Sequence, residues 1–438
     1  MERMLHYVWL HRIFPIGRLC TTDGCSVEVI YPGLHNADAG PDFLNAQVRI
    51  DGVLWVGNVE IHLKSSDWYR HHHDKDVNFN SVILHVTSLA DCEVLCCNGT
   101  KVPQLLLDIP ADVRENYDIL CGHDRIPRCR AVLGDLPAMS VHSWMSALFV
   151  ERMEQRVEQI MERWEACDRS WEDAMFVTVA RNFGFGLNGS AFETWARHIP
   201  MGAVGKHRND LFQIEAIFFG QAGFLSSDAI SSKKNEIADD YYLRLCSEYA
   251  YLRCKFSLNP MNPSLWRFLR LRPQNFPHIR IAQLAMMYYE GKVTMSSLMN
   301  YGSVGGLYDL LDTRVSEYWQ THYTFNSSAT KSSEKKLTVP SRQLLVINSV
   351  VPMLFAYGIY KSDDLLRQKA VDLMEQLPPE DNRYIRDWKS AGVICESAAD
   401  SQALIQLTKN YCLKRDCLRC RFGNEFIRRT PGFMREKE

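Results

Sequence analysis

Residues 40–64 read GPDFLNAQVRIDGVLWVGNVEIHLK, and this stretch decides the fold of the first part of the chain. Its Asp51-Gly52 dipeptide lies between two apolar runs, which is the strongest short-range signal for a β-hairpin. Side chains alternate between the two faces of a strand. The second arm is therefore expected to have a polar face and an apolar face, formed respectively by Glu60, His62 and Lys64 and by Val59, Ile61 and Leu63.

The segments around this hairpin also predict strands. Asn98-Gly99 links EVLCC to TKVPQLLL and predicts a second hairpin. SVILHV, at residues 81–86, is a continuous apolar run typical of a buried central strand. Leu5 and Val8, with other apolar residues near helical spacing, predict an opening helix. We therefore expect residues 1–125 to form a mixed-sheet α/β domain.

The pattern changes to helical periodicity after about residue 130, as in SWMSALFVERMEQRVEQIMERW and RQLLVINSVVPMLFAYGIY. The fold class that follows is α+β, with an N-terminal mixed sheet and then a large all-helical region over residues 126–438. Two polar stretches, near residues 226–240 and 326–336, predict surface loops and are candidate breaks between helical subdomains.

Composition limits the class of protein. The 438 residues are 46% hydrophobic and 23% charged, which is typical of a globular protein. Fifty Lys and Arg residues nearly balance 52 Asp and Glu residues, so any surface that binds nucleic acid must be local. Fourteen scattered cysteines and a first segment unlike a signal peptide predict reduced thiols and a cytoplasmic protein. The apolar stretch at 344–357 contains Pro352 and is too short for a bilayer, so no membrane partner is expected.

Asp42 and Glu60 are the first candidates for catalysis. Two carboxylates from neighbouring strands form a hard oxygen site for Mg²⁺ or Mn²⁺, and His62 or Lys64 could orient an attacking water. These groups suit hydrolysis of a phosphodiester bond. A salt-bridged sheet edge is the competing interpretation.

The hairpin register decides whether the two carboxylates meet. With a two-residue turn at Asp51-Gly52, Asp42 would lie opposite Ile61, on the wrong face for Glu60. The site therefore requires a three-residue turn with Gly52 in the left-handed conformation, or a break at Pro41.

Pro-Asp, a hairpin and then Glu-x-basic resemble the PD-(D/E)XK nuclease superfamily. The resemblance implies a restriction-endonuclease-like domain in which Asp42 and Glu60 bind the metal. Its lysine position holds His62 here, so Lys64, one pleat further on, would supply the cation. The superfamily often adds a carboxylate from its first helix, for which Glu2 is the candidate.

Other segments carry a closer resemblance. GPDFLNA, GNVEIHLKSSDW, VILHV, QIEAIFFGQAGFL, LRPQNFPHIRIAQLA and YCLKRDCLRC resemble a bacterial family, the domain of unknown function 2851. These segments run across nearly the whole chain. The resemblance implies a nuclease-like N-terminal domain.

Histidines and carboxylates follow the Glu60 strand. Such a group could bind a transition metal such as zinc or position a phosphate. The alternatives are a solvated polar connection and, for the strand histidine, an ordinary hydrogen-bonded core residue. The residues are Asp67, His71, His72, His73, Asp74, Asp76 and His85.

Near the C-terminus, Cys412, Cys417 and Cys420 have C-x4-C-x2-C spacing, and Cys395 could be a fourth thiolate. Such a set could hold zinc or an iron–sulfur cluster. Reduced thiols buried on a helix are the alternative.

The sequence therefore predicts a metal-dependent nuclease that hydrolyses DNA or RNA. The alternative is a non-catalytic nuclease-like protein that binds nucleic acid or assembles with a partner. A third possibility is a hydrolase of a small phosphorylated compound.

Overall fold

The computed structural model divides into two compact units. Unit 1 comprises Met1–Ala138, Ser390–Val393 and Leu407–Glu438, and unit 2 comprises Met139–Lys389 and Ile394–Gln406. The C-terminal segment, which the sequence pattern groups with the helices, thus belongs to the compact unit that contains the sheet. The residues that the structure describes are 1–14, 18–36, 38–122, 124–225, 239–292, 294–328 and 331–429.

Unit 1 is built on one mixed sheet, as the sequence predicts. The sheet order is β1-β2-β4-β5-β6-β7, with β3 paired to β4. The pairs up to β4-β5 are antiparallel, whereas β6 is parallel to β5 and β7 is parallel to β6. Thr21, just after β1, pairs with Leu105 of β7, so the sheet nearly closes into a barrel. The strands are β1 (Leu19–Cys20), β2 (Ser26–Tyr31), β3 (Leu34–His35), β4 (Phe43–Ile50), β5 (Val53–Lys64), β6 (Val82–Leu89) and β7 (Gln104–Leu106).

The opening helix covers the apolar side of the sheet. Helix α1 (Glu2–Leu10) buries Leu5 and Val8 completely and packs against β5. Val59 and Ile61 of β5 are also buried. Complete burial of such a side chain stabilises the fold by about 1.5–3 kcal/mol, so the contact between α1 and this face of the sheet is stabilising. The other face of β5 carries the polar residues. The remaining helices of this N-terminal part are α2 (Asp67–Arg70), α3 (Ala111–Gly122) and α4 (Arg130–Leu133).

The β4–β5 hairpin has the two-residue turn, so the expected three-residue turn is wrong. Ile50 pairs with Val53, and the turn residues Asp51 and Gly52 both have positive φ, as a type I′ turn requires. The register shifts later, at a bulge between Phe43 and Ala46. Asn45, inside the bulge, has φ 56°.

This bulge has the effect that the site hypothesis needs. Beyond it, Phe43 pairs with Val59, so the next residue back, Asp42, aligns with Glu60. An extra residue inside β4, rather than a longer turn or a break at Pro41, thus brings Asp42 beside Glu60.

The second predicted hairpin forms, but it is short. Around Asn98-Gly99 the Cys96 N–H donates to the Thr100 carbonyl and the Val102 N–H donates to the Val94 carbonyl, on either side of an antiparallel bridge between Leu95 and Lys101. The following segment, β7, leaves this turn and pairs in parallel with β6. The turn at Asn98-Gly99 is therefore where the sequence predicts it, but pairing with β6 determines the position of β7 in the sheet.

Unit 2 is mostly helical. It also contains the short hairpin β8 (His322–Thr324) and β9 (Ser327–Ser328), which corrects the expectation of an all-helical region. Residues 226–238 of the first predicted loop lie outside the described residues. In the second predicted loop, Lys335 is buried and donates to the carbonyls of Trp319 and His322. The helices are Ala138–Ala166, Trp171–Phe183, Gly189–Arg197, Met201–Gly205, Leu211–Gln221, Asp240–Phe256, Pro277–Tyr289, Met295–Met299, Val304–Leu310, Glu317–Thr321, Val339–Leu345, Val351–Lys361, Asp364–Gln376, Arg383–Ser390 and Ala398–Gln406.

One continuous helix, Val339–Lys361, is longer than the apolar stretch seen in the sequence. It includes a π-helical turn at Val346–Val350. Its 23 residues and mean hydropathy of 1.5 would allow it to cross a membrane by length and composition. However, 61% of its apolar window is buried inside the protein, which is the pattern of a core helix.

The C-terminal segment of unit 1 consists of a π-helical turn at Leu407–Cys412, a 3₁₀ turn at Cys417–Arg419 and a helix at Arg421–Ile427. The side-chain amide of Asn116, in α3, donates to the carbonyls of Ile427 and Arg429. The hydroxyl of Tyr7, in α1, donates to Asn424. These hydrogen bonds attach the C-terminal segment, up to Arg429, to helices α1 and α3 of the same unit.

Candidate functional site

Three neighbouring elements bring histidines to one face of the sheet. Glu60 and His62 alternate along β5, and Glu60 pairs with His85 of the parallel strand β6, so these side chains share a face. The crossover from β5 to β6 supplies His71 and His73. Between them the backbone turns at His72, which has φ 63°.

Glu60, His62, His71 and His73 form what we call the histidine–carboxylate site. Oε1 of Glu60 lies 3.5 Å from Nε2 of His62 and 3.2 Å from Nε2 of His73. Nε2 of His62 lies 3.1 Å from Nδ1 of His71. One nitrogen of each histidine lies within 4.8 Å of the other two. Glu60 and His62 are 5% and 2% exposed, whereas His71 is exposed, so the site opens to solvent on one side.

The three imidazole nitrogens are close enough to share one metal ion, and the Glu60 carboxylate contacts two of these imidazoles, those of His62 and His73. Ligands at about 2.1 Å from a tetrahedral ion lie about 3.4 Å apart, and neighbouring ligands of an octahedral ion lie about 3.0 Å apart. Nε2 of His73 is buried and makes no hydrogen bond, although it lies 3.2 Å from the Glu60 carboxylate. A cation shared by His73 and Glu60 would contact both this nitrogen and the carboxylate.

Burial keeps the central imidazole neutral. Desolvation, together with the neighbouring histidines His85, His73, His71 and His6, lowers the pKa of His62 to about 2. A neutral imidazole has the free lone pair that a metal requires. Nδ1 of His62 lies 2.9 Å from Nε2 of His85, and this hydrogen bond orients the ring so that Nε2 faces the other ligands.

Asp42 and Glu60 hold each other through the backbone. The Asp42 N–H donates to Oε2 of Glu60 at 3.0 Å, and Oδ2 of Asp42 accepts from the Ile61 N–H at 2.9 Å. Burial and the charges of Glu60 and Glu2 raise the pKa of Asp42 to about 8. In the part of the chain that the structure describes, the ion-pair neighbours of both carboxylates are histidines rather than lysines or arginines.

Sequence reasoning missed His6. Its Nε2 lies 3.5 Å from Oδ2 of Asp42, and burial lowers the pKa of His6 to about 4. His6 is four residues after Glu2 in α1, and residues at this spacing share a helix face. That spacing, together with the proposed role of Glu2, was the available signal.

A family model described as "Protein of unknown function (DUF2851)" matches residues 2–383. The chain belongs to the DUF2851 family. No curated protein and no solved structure matches it significantly. The DUF2851 match contains the whole sheet and every residue of the histidine–carboxylate site.

Other predicted residues of this DUF2851 protein lie beside the site and have structural contacts. Lys64 is exposed and lies near Asp91, whose pKa is lowered mainly by hydrogen bonds from Ser66 and to a smaller extent by the charge of Lys64. Asp67 forms an ion pair with Arg70 at 3.1 Å, and Asp76 accepts from the Asn78 N–H as a cap. Neither carboxylate is among the contacts of the histidine–carboxylate site described above.

The predicted C-terminal cysteines also come together in this DUF2851 protein. Cys412, Cys417 and Cys420 line one small cavity, and the fourth thiol there is Cys129. Cys395 belongs to unit 2, where it lies near Asp400, Lys389 and Glu380. The structure thus groups the three close cysteines with a residue that the spacing pattern did not indicate.

Proposed function

We propose that this DUF2851 protein is a metal-dependent hydrolase that cleaves phosphodiester bonds of DNA or RNA at the histidine–carboxylate site. The convergence of three imidazoles carries the proposal, with the Glu60 carboxylate 3.5 Å from His62 and 3.2 Å from His73. An ion held there would polarise a phosphate oxygen and lower the pKa of a bound water.

The donor set determines which metal suits the site. Mg²⁺ prefers oxygen ligands, whereas imidazole suits zinc, iron and other transition metals, and Mn²⁺ accepts both nitrogen and oxygen ligands. With three imidazoles beside a single carboxylate, Mn²⁺ or Zn²⁺ fits better than Mg²⁺. Of the two metals expected for an Asp42–Glu60 pair, Mn²⁺ is therefore the one we retain.

The protein's own groups have distinct roles in this proposal. Glu60, His62, His71 and His73 bind the ion, and exposed His71 marks the side from which a phosphate can enter. Asp42 holds Glu60 in place because its backbone N–H donates to Oε2 of Glu60.

The choice of a nucleic-acid substrate rests on two features. The order Pro-Asp, hairpin, Glu-x-His resembles the PD-(D/E)XK nucleases, and the bulge at Asn45 aligns Asp42 with Glu60 as that resemblance requires.

The test is cleavage of labelled single-stranded and duplex DNA and RNA by the purified full chain with Mn²⁺, Zn²⁺ or Mg²⁺. Glu60→Gln and His73→Ala should lose both the metal and the cleavage. His72→Asn is the matched control, because His72 is exposed, lies between two ligands and has a φ that Asn tolerates. Metal binding without cleavage of any of the substrates would instead favour the non-catalytic nucleic-acid-binding alternative. Cleavage that survives both site substitutions would contradict the assignment.

A further inference from the structure

A second group of metal-binding residues lies in unit 1 and takes no part in the proposed hydrolysis. Cys129, Cys412, Cys417 and Cys420, which we call the four-cysteine site, are all buried, at 5–8% exposure. They line one small cavity together with Arg128, Leu120, Tyr411 and Gly423. Four buried thiols around one space are a complete ligand set for a zinc ion or an iron–sulfur cluster.

Every pair among these four residues is close enough for its charges to interact. Cys129 interacts electrostatically with each of the other three, Cys412 with Cys417 and Cys420, and Cys417 with Cys420. These interactions are consistent with four side chains that surround the same buried space.

The backbone is built to bring the thiols together. Cys412 ends a π-helical turn, Cys417 begins a 3₁₀ turn, and Cys420 precedes the helix Arg421–Ile427. The guanidinium of Arg128, next to Cys129, donates to the carbonyl of Cys412 and joins the two parts of the chain.

Gly423 shows how closely this segment is packed. A Cβ atom at this position would lie 2.2 Å from the carbonyl oxygen of Cys417, so no other residue fits without moving the turn. The π-helical turn ending at Cys412 is a rare structure that is frequently found at functional sites.

The spacing of the sulfurs distinguishes the two classes of centre. A zinc ion with Zn–S bonds of about 2.3 Å holds its sulfurs about 3.8 Å apart. Among the described residues, no three cysteine sulfurs lie within 4.8 Å of one another. A centre with several metal ions spreads its cysteines more widely, because each cysteine binds a different ion.

We propose that Cys129, Cys412, Cys417 and Cys420 ligate an iron–sulfur cluster. The cluster joins the loop before α4 to the C-terminal segment of unit 1. All four ligands are buried, so we assign the centre a structural role in holding the two parts of the unit together. This proposal does not depend on the hydrolytic function.

The experiment measures iron, zinc and acid-labile sulfide in the full chain purified without oxygen. A visible absorption spectrum of the same sample is recorded, because iron–sulfur clusters absorb visible light. We expect about four irons and four sulfides per chain, as for a cubane with four cysteine ligands. Cys129→Ser and Cys417→Ser should lose most of the iron. Cys395→Ser, which changes a buried thiol of unit 2, should retain it.

A variant that fails to fold would lose iron without informing on the ligands. Each variant is therefore also treated with ferrous iron and sulfide without oxygen, after circular dichroism has shown that it is folded. Folded Cys129→Ser that takes up the full wild-type amount of iron would overturn the ligand set. A wild-type chain that holds one zinc, or no metal even after this treatment, would overturn the cluster assignment.

Discussion

The histidine–carboxylate site and the four-cysteine site both lie in unit 1, yet they differ in access. The first has an exposed ligand, His71, at its edge, whereas all four thiols of the second are buried. A hydrolytic centre must admit water and a phosphate, but a structural centre works best when solvent is excluded. The difference in burial therefore supports the proposed hydrolysis at the first site and the proposed structural role of the second.

The two sites also differ in how the chain builds them. The histidine–carboxylate site uses adjacent strand positions and one short crossover, all between Glu60 and His73. The four-cysteine site joins Cys129 to a segment near the other end of the chain. Loss of the first site should therefore affect activity, and loss of the second should affect the stability of unit 1.

The largest expected effect is on catalysis. Glu60→Gln keeps the size of the side chain but removes the charge that contacts His62 and His73. Substitution of a residue that hydrogen-bonds to a metal ligand already lowers metal affinity or activity about 10–100-fold. For a ligand itself we therefore expect a loss on the order of a thousandfold in kcat/KM. Initial rates on a labelled oligonucleotide with Mn²⁺ measure it, and an unchanged thermal midpoint would show that the fold is retained. A loss below tenfold would remove Glu60 from the catalytic machinery.

The second-largest expected effect is on the stability of the folded protein. Cys417→Ser should lower the free energy of unfolding by on the order of 3 kcal/mol, because it removes a ligand of a buried centre. Urea unfolding of the wild type and the variant, both purified without oxygen, measures this. Cys254→Ser, at an exposed position, is the control and should change the free energy by less than about 0.5 kcal/mol. Equal stability of Cys417→Ser and the wild type would contradict a cohesive role.

These predictions depend on features that the sequence revealed unequally. The alternation of Glu60 and His62 on β5 and the turn at Asp51-Gly52 follow from local pattern, and the structure has both. The bulge at Asn45 does not follow, because an extra strand residue is set by pairing with the neighbouring strands. Without it, the same sequence would place Asp42 opposite Ile61.

The sequence also does not reveal which cysteines that are distant along the chain meet in the fold. Nothing in the local sequence around Cys129 indicates that it meets Cys412, since only the folded chain brings them together. The same reasoning error placed the C-terminal cysteines with Cys395, which is nearer in sequence but belongs to unit 2. Residue spacing can reveal a ligand pair, whereas the complete set depends on topology.

Unit 2 contains a buried carboxylate, Glu215, that can be compared with the carboxylates of unit 1. Glu215 accepts hydrogen bonds from the hydroxyls of Tyr241 and Ser316, and burial raises its pKa to about 7. The unfolded chain releases this proton near pH 4.5, so stability should fall as the pH rises from about 4.5 to about 7.

Glu215→Gln should remove that part of the pH dependence, which is on the order of 2–3 kcal/mol across the window. Urea unfolding of both proteins at several pH values measures the difference. If the two curves run parallel, Glu215 is ionised in the folded protein and the assignment is wrong.

The smallest expected effect concerns His85, a positioning residue. His85→Asn removes the imidazole that orients His62 and should weaken Mn²⁺ binding about tenfold to a hundredfold. Titration of the metal against a competing chelator measures the affinity. With saturating Mn²⁺ most of the activity should return, which a general loss of folding would not permit. Unaltered affinity would show that His62 needs no such support.

The central claim, that Glu60 and three histidines bind one metal ion, is tested most directly by an anomalous-scattering map from crystals of the protein soaked in Mn²⁺. We predict a single strong peak within bonding distance of Glu60, His62, His71 and His73. Well-ordered side chains at these positions with no peak between them would contradict the claim.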